Sequence, residues 1–153
     1  MPISEHRLQR RVQFRETDAA GIVHFSVFFN YMEEAEHELW RAAGLSIAPA
    51  GSEIGWPRVG ASFEYHRPLR FEDEFEAHIR IVAMDVNKIH YRCVLWRGEE
   101  KIATGDLTIA SVRKRAQEPM KSIPLPDEIA ARLQPSPLES AEDEPRRKHV
   151  RRS

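Results

Sequence analysis

The 153-residue chain has a single cysteine and no long apolar run, and each shortage excludes a class of protein. Cys93 cannot form an intrachain disulfide, and its place in an alternating apolar pattern predicts a small core residue rather than a catalytic thiol. The first residues, MPISEHRLQRRVQF, have no continuous apolar core, so we expect no secretory signal. No segment approaches the ~18 apolar residues of a membrane span. We therefore expect a cytoplasmic protein.

Charge and motifs exclude further functions. The net charge of -1 argues against general affinity for nucleic acid. The chain has no G-x-S-x-G, no glycine-rich phosphate loop and no dinucleotide fingerprint, so we expect no cofactor. Glu34-x-x-His37 has the spacing of helical di-metal sites, but those sites need a second copy of the motif and further helices. We therefore expect a solvated charged helix face there, and no metal.

Apolar spacing predicts one helix behind the first strand. Ser26 and Gly44 stand where an N-cap and a C-terminal glycine belong, so the helix should run for about 17 residues. The residues that recur at helical spacing, and should face the core, are Phe28, Met32, Ala35, Leu39 and Ala42.

Period-two alternation predicts five strands. The first carries Leu8, Val12 and Phe14 on one side, and the others cover about residues 59–65, 75–83, 89–95 and 101–114. Turns are predicted at 85–88 and around Gly98. This order favours an α+β fold in which an antiparallel sheet packs on one long helix.

One helix cannot cover five strands on both faces, so we expect a second copy over the exposed face or edge. The domain should span residues 1–134, and the proline-rich, charged residues 135–153 should form a disordered tail.

The stretch RETDAAGIVHFS, residues 15–26, carries the strongest candidate for chemistry. Asp18 precedes a turn containing Gly21 and then the predicted helix start. Asp18 either caps this turn or is a catalytic carboxylate, because the free N–H groups of a helix start can polarise a carbonyl that Asp18 attacks. His24 is either a polar turn residue or a group that orients water beside Asp18.

Several basic residues lie at the predicted strand ends, and they either solubilise the protein or meet the phosphates of a substrate. These residues are Lys88, Arg92, Arg113, Lys114 and Arg115.

The stretch VQFRETDAAGIVHFSVFFNYMEEAEHELWRAAGL resembles the hotdog-fold acyl-CoA thioesterases of the 4-hydroxybenzoyl-CoA thioesterase type. That group includes Tol-Pal-associated and dihydroxynaphthoyl-CoA thioesterases. The resemblance implies a five-stranded antiparallel sheet wrapped around a long central helix, in a homodimer or homotetramer. It implies that Asp18 is the nucleophile or general base, and that the Phe25 backbone N–H polarises the thioester carbonyl. The substrate would be an acyl-CoA, or an acyl group on acyl carrier protein, with its pantetheine arm along a subunit interface. The nucleotide phosphates would meet basic surface residues, for which we choose Lys88, Arg92, Arg113 and Lys114.

The chain also departs from that family pattern. Many relatives carry Tyr-His or Trp-Tyr where this chain has His24-Phe25, so the histidine is shifted or replaced. Two alternatives stay open. One is a hydratase or dehydratase of the same fold, which would pair His24 with a helix carboxylate such as Glu38. The pair is ~18 Å apart if the helix is unbroken, which is too far to share a proton. The other is an acyl-thioester binding module without catalysis.

Overall fold

The computed structural model describes residues 1–137, which form eight strands and two α-helices. In chain order these elements are β1 (Glu5–Arg11), α1 (Val27–Ala42), β2 (Ile54–Gly55), β3 (Arg58–Tyr65), β4 (Glu74–Met84), β5 (Lys88–Arg97), β6 (Glu100–Ala110), β7 (Val112–Arg113), β8 (Lys121–Ser122) and α2 (Asp127–Arg132). Five strands make one antiparallel sheet in the order β1-β4-β5-β6-β3. The predicted five-stranded antiparallel sheet is therefore confirmed. A small second sheet, β2-β7-β8, was not predicted, because its strands are only two residues long.

Short turns join the central strands. Residues 85–87 connect β4 to β5, and residues 98–99 connect β5 to β6, as predicted. Gly98 has φ +60°, a conformation that costs glycine little, and it allows the second connection to be tight. Because β4, β5 and β6 are consecutive, they form a meander whose inward side chains all face α1.

The core lies between α1 and this sheet. Four of the five predicted helix positions are buried, and only Ala42 is exposed. The inward residues of β5 are also buried, as predicted, namely Ile89, Tyr91, Cys93 and Leu95. Burial raises the pKa of the Cys93 thiol, which suits the predicted core role.

The helical part of the prediction needs correction. α1 has 16 residues, about 24 Å, so it is not a long helix, and the six-residue α2 follows the sheet. Gly44 ends α1 as predicted: its φ is +75°, its N–H bonds the Arg41 carbonyl, and the Leu45 N–H bonds the Trp40 carbonyl. Ser26 occupies the N-cap position, but its side chain makes no capping hydrogen bond.

Apolar positions of the predicted strands are exposed at Phe14, Val59 and Tyr65. Phe14 lies in a single 3₁₀ turn, Phe14–Glu16, rather than in β1, and its side chain is exposed. β3 forms one edge of the sheet and is exposed along almost its whole length, including Val59 and Tyr65. β3 therefore leaves apolar side chains exposed at an open sheet edge.

The predicted tail, residues 135–153, lies mainly outside the described residues. Within the described part, the Ser136 N–H bonds the Ile81 carbonyl at 2.7 Å, so the chain is still tied to β4 at that point. Across residues 1–137, no helix is long and apolar enough to cross a membrane.

Candidate active site

The candidate site is built on a small closed loop between β1 and α1. Thr17 and Val23 form an antiparallel bridge, and the Asp18 N–H bonds the Ile22 carbonyl at 2.8 Å. The loop turns at Gly21, whose φ of +80° favours glycine over other residues. The sequence prediction of a turn that presents Asp18 is confirmed, and the loop holds Asp18 by its backbone on both sides.

One oxygen of Asp18 caps the turn. The Ala20 N–H donates to Asp18 Oδ1 at 2.8 Å, which is the local capping role that Asp commonly has. Within residues 1–137 no hydrogen bond reaches Oδ2, and the side chain is half-buried. The two interpretations of Asp18 are therefore compatible, because one oxygen can orient the carboxylate while the other reacts.

Phe25 stands two residues beyond the bridge, at the start of α1. Its side chain is 64% exposed, and its carbonyl accepts a hydrogen bond from the Tyr65 hydroxyl at 2.8 Å. Among the residues the structure describes, none accepts a hydrogen bond from the Phe25 N–H. This N–H is thus available to a ligand carbonyl, as a donor for an oxyanion must be.

His24 faces the helix start rather than the carboxylate. Its Nδ1 accepts from the Ser26 N–H at 3.2 Å and lies 2.7 Å from Ser26 Oγ, so in the neutral ring the proton sits on Nε2. The ring stacks on Phe25 with centroids 4.5 Å apart. In the described part of the chain no hydrogen bond joins His24 to Asp18. His24 therefore orders the helix start, which is the role of a polar turn histidine.

Glu16 is a residue of this site that the sequence reasoning missed. Its side chain is buried, and it accepts hydrogen bonds from the Gln13 N–H at 2.7 Å, from Arg10 at 2.5 Å and from the Tyr31 hydroxyl at 3.0 Å. Its carbonyl accepts the His24 N–H at 2.9 Å. Glu16 thereby ties β1, α1 and both ends of the Asp18 loop together. The available signal was a carboxylate two residues before Asp18, and only tertiary contacts reveal its use.

Burial alone would raise the pKa of Glu16. The hydrogen bonds from Gln13, Arg10 and Tyr31 outweigh burial and hold that pKa below its ordinary value. Glu16 is therefore an anionic support of the loop at neutral pH.

The four predicted phosphate-binding residues do not gather around Asp18 in one chain. The Asp18 loop joins the sheet near Tyr65, whose partner on β6 is Ala103, whereas Lys88 pairs with Ala110. The seven-residue step from Ala103 to Ala110 is about 24 Å. Arg113 and Lys114 lie at the Lys88 end, beside β2.

Arg92 lies between the two ends, and its guanidinium pairs with Asp106 at 3.2 Å. A single chain thus places the cations and the carboxylate at separate positions along the sheet.

The charged face of α1 differs from the prediction at one position. Glu34 pairs with Arg10 at 3.0 Å and Glu38 with Arg41 at 2.6 Å, both at half-buried or exposed positions. Glu36, in contrast, is completely buried, so the prediction of a solvated face is wrong there. Among the described residues no cluster of three or more metal-ligating side chains occurs.

α1 also bears on the hydratase alternative, since it runs unbroken from Val27 to Ala42. Glu38 therefore lies about three turns beyond the helix start and pairs with Arg41 rather than with His24.

Comparisons with known proteins identify the family and the fold. The family model described as the thioesterase-like superfamily matches residues 12–133. A protein of Aquifex aeolicus is 31% identical over 124 residues, which cover 79% of this chain and 91% of that protein. A 1,4-dihydroxy-2-naphthoyl-CoA hydrolase of Synechococcus elongatus is 24% identical over 135 residues, which cover 86% of this chain and 97% of the relative.

Among solved structures, a 1,4-dihydroxy-2-naphthoyl-CoA thioesterase from Synechocystis superposes with a TM-score of 0.76 at 20% identity, covering 83% of this chain and 93% of that one. The chain belongs to the thioesterase-like superfamily, and its antiparallel sheet and helix form the hotdog thioesterase fold. The family expectation drawn from the Asp18 stretch is therefore confirmed.

Proposed function

We propose that this protein hydrolyses an acyl-CoA thioester to the free acid and CoA. The observation that carries the proposal is the loop at Asp18. Within residues 1–137, one oxygen of this carboxylate accepts no hydrogen bond, and the Phe25 N–H at the following helix start has no acceptor. Acyl-thioester hydrolysis needs these two groups, a nucleophile or base and a donor for the developing oxyanion. Family membership supports the same reaction class.

Asp18 would act in one of two ways. As a nucleophile, Oδ2 attacks the carbonyl carbon, the C–S bond breaks, CoA leaves as the thiolate, and water then hydrolyses the mixed anhydride. As a general base, Asp18 takes a proton from a water that attacks the same carbon, after which the C–S bond breaks and CoA leaves with that proton. In both routes the Phe25 N–H donates to the carbonyl oxygen as negative charge develops there. Gly21 lets the loop turn so that Asp18 is presented.

The acyl group we propose is aromatic. Phe28, Phe63 and Tyr65 pack around the start of α1, with ring centroids 4.9 to 6.0 Å apart. Aromatic rings bind one another by edge-to-face and offset contacts, so such a rim suits an aromatic acyl group. The Synechococcus elongatus relative is named for a substrate of this class, a naphthoyl-CoA. Acyl carrier protein remains the alternative carrier.

We also propose a homodimer, or a homotetramer built from such dimers. β3 is an exposed sheet edge, and a two-fold axis there would pair it antiparallel with β3 of a second copy. The Arg58 end of one β3 would then lie near the Tyr65 end of the other. That arrangement would bring the basic group Lys88, Arg113 and Lys114 of one copy toward the Asp18 loop of the other, where the CoA phosphates would need cations.

The test is a panel of aromatic and aliphatic acyl-CoAs, assayed for released thiol, with acyl carrier protein thioesters in parallel. We expect CoA release from at least one aromatic member. Hydration of an enoyl-CoA without thiol release would support the hydratase alternative. Binding of acyl-CoA with no chemistry on any member would support the binding module and contradict the proposal.

A further inference from the structure

Among the described residues, one hydrogen bond joins the edge strand β3 to the start of α1. Tyr65 is the last residue of β3, and its hydroxyl donates to the Phe25 carbonyl at 2.8 Å across 40 residues of sequence. Phe25 is the residue whose N–H is the proposed donor to the thioester carbonyl. The side chain of Tyr65 thus contacts the peptide next to the one that would act in the reaction.

The other hydrogen bonds at the start of α1 involve the neighbours of Phe25: the Ser26 N–H bonds His24 Nδ1 at 3.2 Å, and the His24 N–H bonds the Glu16 carbonyl at 2.9 Å. The Ser26 side chain makes no capping hydrogen bond, and no acidic residue lies in the first turn. The ring of Phe25 is mostly exposed and stacks on His24 rather than entering the core. In the part of the chain that the structure describes, the Tyr65 hydroxyl is the hydrogen-bond partner that joins the Phe25 backbone itself to the sheet.

Tyr65 is itself well held. Its ring meets Phe28 edge-on at 4.9 Å and stacks near Phe63 at 6.0 Å, and its backbone pairs with Ala103 on β6. Burial raises the pKa of Tyr65, so the hydroxyl keeps its proton and remains a donor at neutral pH. A fixed ring that carries a donor can fix the position of the carbonyl it meets.

We propose that Tyr65 is a positioning residue. By holding the Phe25 carbonyl, it fixes the Phe25 backbone so that the N–H of the same residue points at the carbonyl oxygen of the thioester. This inference rests on the proposed function. An oxyanion donor must lie within about 2.7–3.1 Å of the oxygen, and a displacement of about 1 Å can cost up to 10²-fold in rate. Tyr65 touches no reacting atom in this account, and its effect on catalysis passes through Phe25.

The first experiment compares Tyr65→Phe with Tyr91→Phe. Tyr65→Phe keeps the ring and removes only the hydroxyl, so we expect kcat to fall about 10-fold, with KM within about 2-fold and Tm within about 2 °C of wild type. Tyr91 is a matched control at the far end of α1, where its buried hydroxyl accepts a hydrogen bond from Trp40 at 2.9 Å. Tyr91→Phe should lower Tm and leave kcat close to wild type.

The second experiment observes Phe25 without turnover. A benzoyl-CoA analogue with a methylene in place of the thioester sulfur is added to ¹⁵N-labelled protein. We expect the Phe25 amide proton to move downfield in wild type, and to move much less in Tyr65→Phe.

The outcomes separate the two proposals. An unchanged kcat in Tyr65→Phe, a loss of kcat that parallels a loss of Tm, or an equal Phe25 response in both proteins overturns the role of Tyr65. If wild type hydrolyses no acyl-CoA, the proposed function fails, and a Phe25 response that depends on Tyr65 still supports the positioning role.

Discussion

Glu16 and Asp18 are two residues apart, yet their carboxylates have opposite surroundings. Glu16 is buried and its oxygens are filled by donors from β1, the Gln13 N–H and α1. Asp18 is half-buried and uses one oxygen for the Ala20 N–H. A carboxylate whose oxygens are all satisfied is a structural anchor, and one with a free oxygen can do chemistry. At the residue scale, this difference supports the proposed division of roles, with Glu16 as the anchor and Asp18 as the reacting group.

The anchoring role of Glu16 predicts a specific pH dependence. Its pKa is lowered in the folded state, so the unfolded chain takes up the proton first as the pH falls. The stability that Glu16 contributes is therefore present above its unfolded pKa, about 4.3, and is lost as the pH falls through its folded pKa. Glu16→Gln should lower the urea midpoint at about pH 7 and flatten its fall toward about pH 3.5.

The exposed Glu99→Gln serves as the control and should leave the wild-type pH profile unchanged. His37 and His78 have lowered pKa values and also favour unfolding in acid, but they do so equally in all three proteins. Parallel acid profiles for wild type and Glu16→Gln would contradict the anchoring role.

Sequence reasoning could find Asp18 and could not find Glu16 or Glu36. Asp18 can be recognised from the local sequence, because a glycine turn and a helix start follow it within eight residues. Glu16 and Glu36 look like ordinary surface carboxylates. Their partners Arg10, Tyr31 and Arg58 come from other elements, so burial emerges only when β1, α1 and β3 pack together.

At the scale of elements, a buried ion pair joins α1 to the edge strand. Glu36 is completely buried on α1, and Arg58 at the start of β3 donates to it at 2.5 and 3.2 Å. Burial raises the pKa of Glu36, and the charge of Arg58 opposes that rise. The pair therefore depends on both partners, since an unpaired carboxylate there would be costly.

The substitution Arg58→Met tests whether the buried Glu36 carboxylate depends on its partner. Removing the guanidinium leaves Glu36 buried without a partner and raises its folded pKa further, so stability should fall by about 3 kcal/mol at neutral pH. A group with a raised folded pKa loses stability as the pH rises through that pKa. The urea midpoint of Arg58→Met should therefore approach wild type near about pH 5 and fall behind it toward about pH 8.

The double variant Glu36→Gln/Arg58→Met removes the titrating group and should lose this pH dependence. If the urea midpoint of Arg58→Met lies below that of wild type by the same amount at every pH, the dependence of Glu36 on Arg58 is contradicted.

Periodicity was sufficient for most elements of the fold. The buried residues of β5 and α1 could be predicted from their spacing, because all of them face the same core. Two classes of feature were not readable. The two-residue strands β2, β7 and β8 are too short to show a period, and Phe14 left β1 because the chain turns at residue 14 toward the Asp18 loop.

At the scale of the whole molecule, β3 is an edge strand that exposes apolar side chains. Val59 is 55% and Tyr65 is 45% exposed on this strand. Pairing of two β3 strands would satisfy the edge hydrogen bonds and would bring the basic end of one chain to the carboxylate of the other. The proposed site is complete only in that assembly.

Val59→Lys tests the assembly. A charge on β3 should shift the mass measured by light scattering from two or four chains toward one, with a loss of activity that is partly recovered at high protein concentration. Val86→Lys is the matched control, because Val86 is 77% exposed in the β4–β5 turn. An unchanged mass in Val59→Lys, or an equal shift in Val86→Lys, would contradict pairing through β3.

The most direct test of the central claim is the turnover of Asp18→Asn on the best acyl-CoA of the panel. Asparagine keeps the Oδ1 that caps the turn and removes the nucleophile or base, so the fold should persist. We predict a loss of 10²-fold or more in kcat, the scale expected for such a group, with an unchanged Tm. The exposed Asp127→Asn should remain at wild-type activity. CoA release by Asp18→Asn within about 3-fold of wild type would contradict the assignment of Asp18.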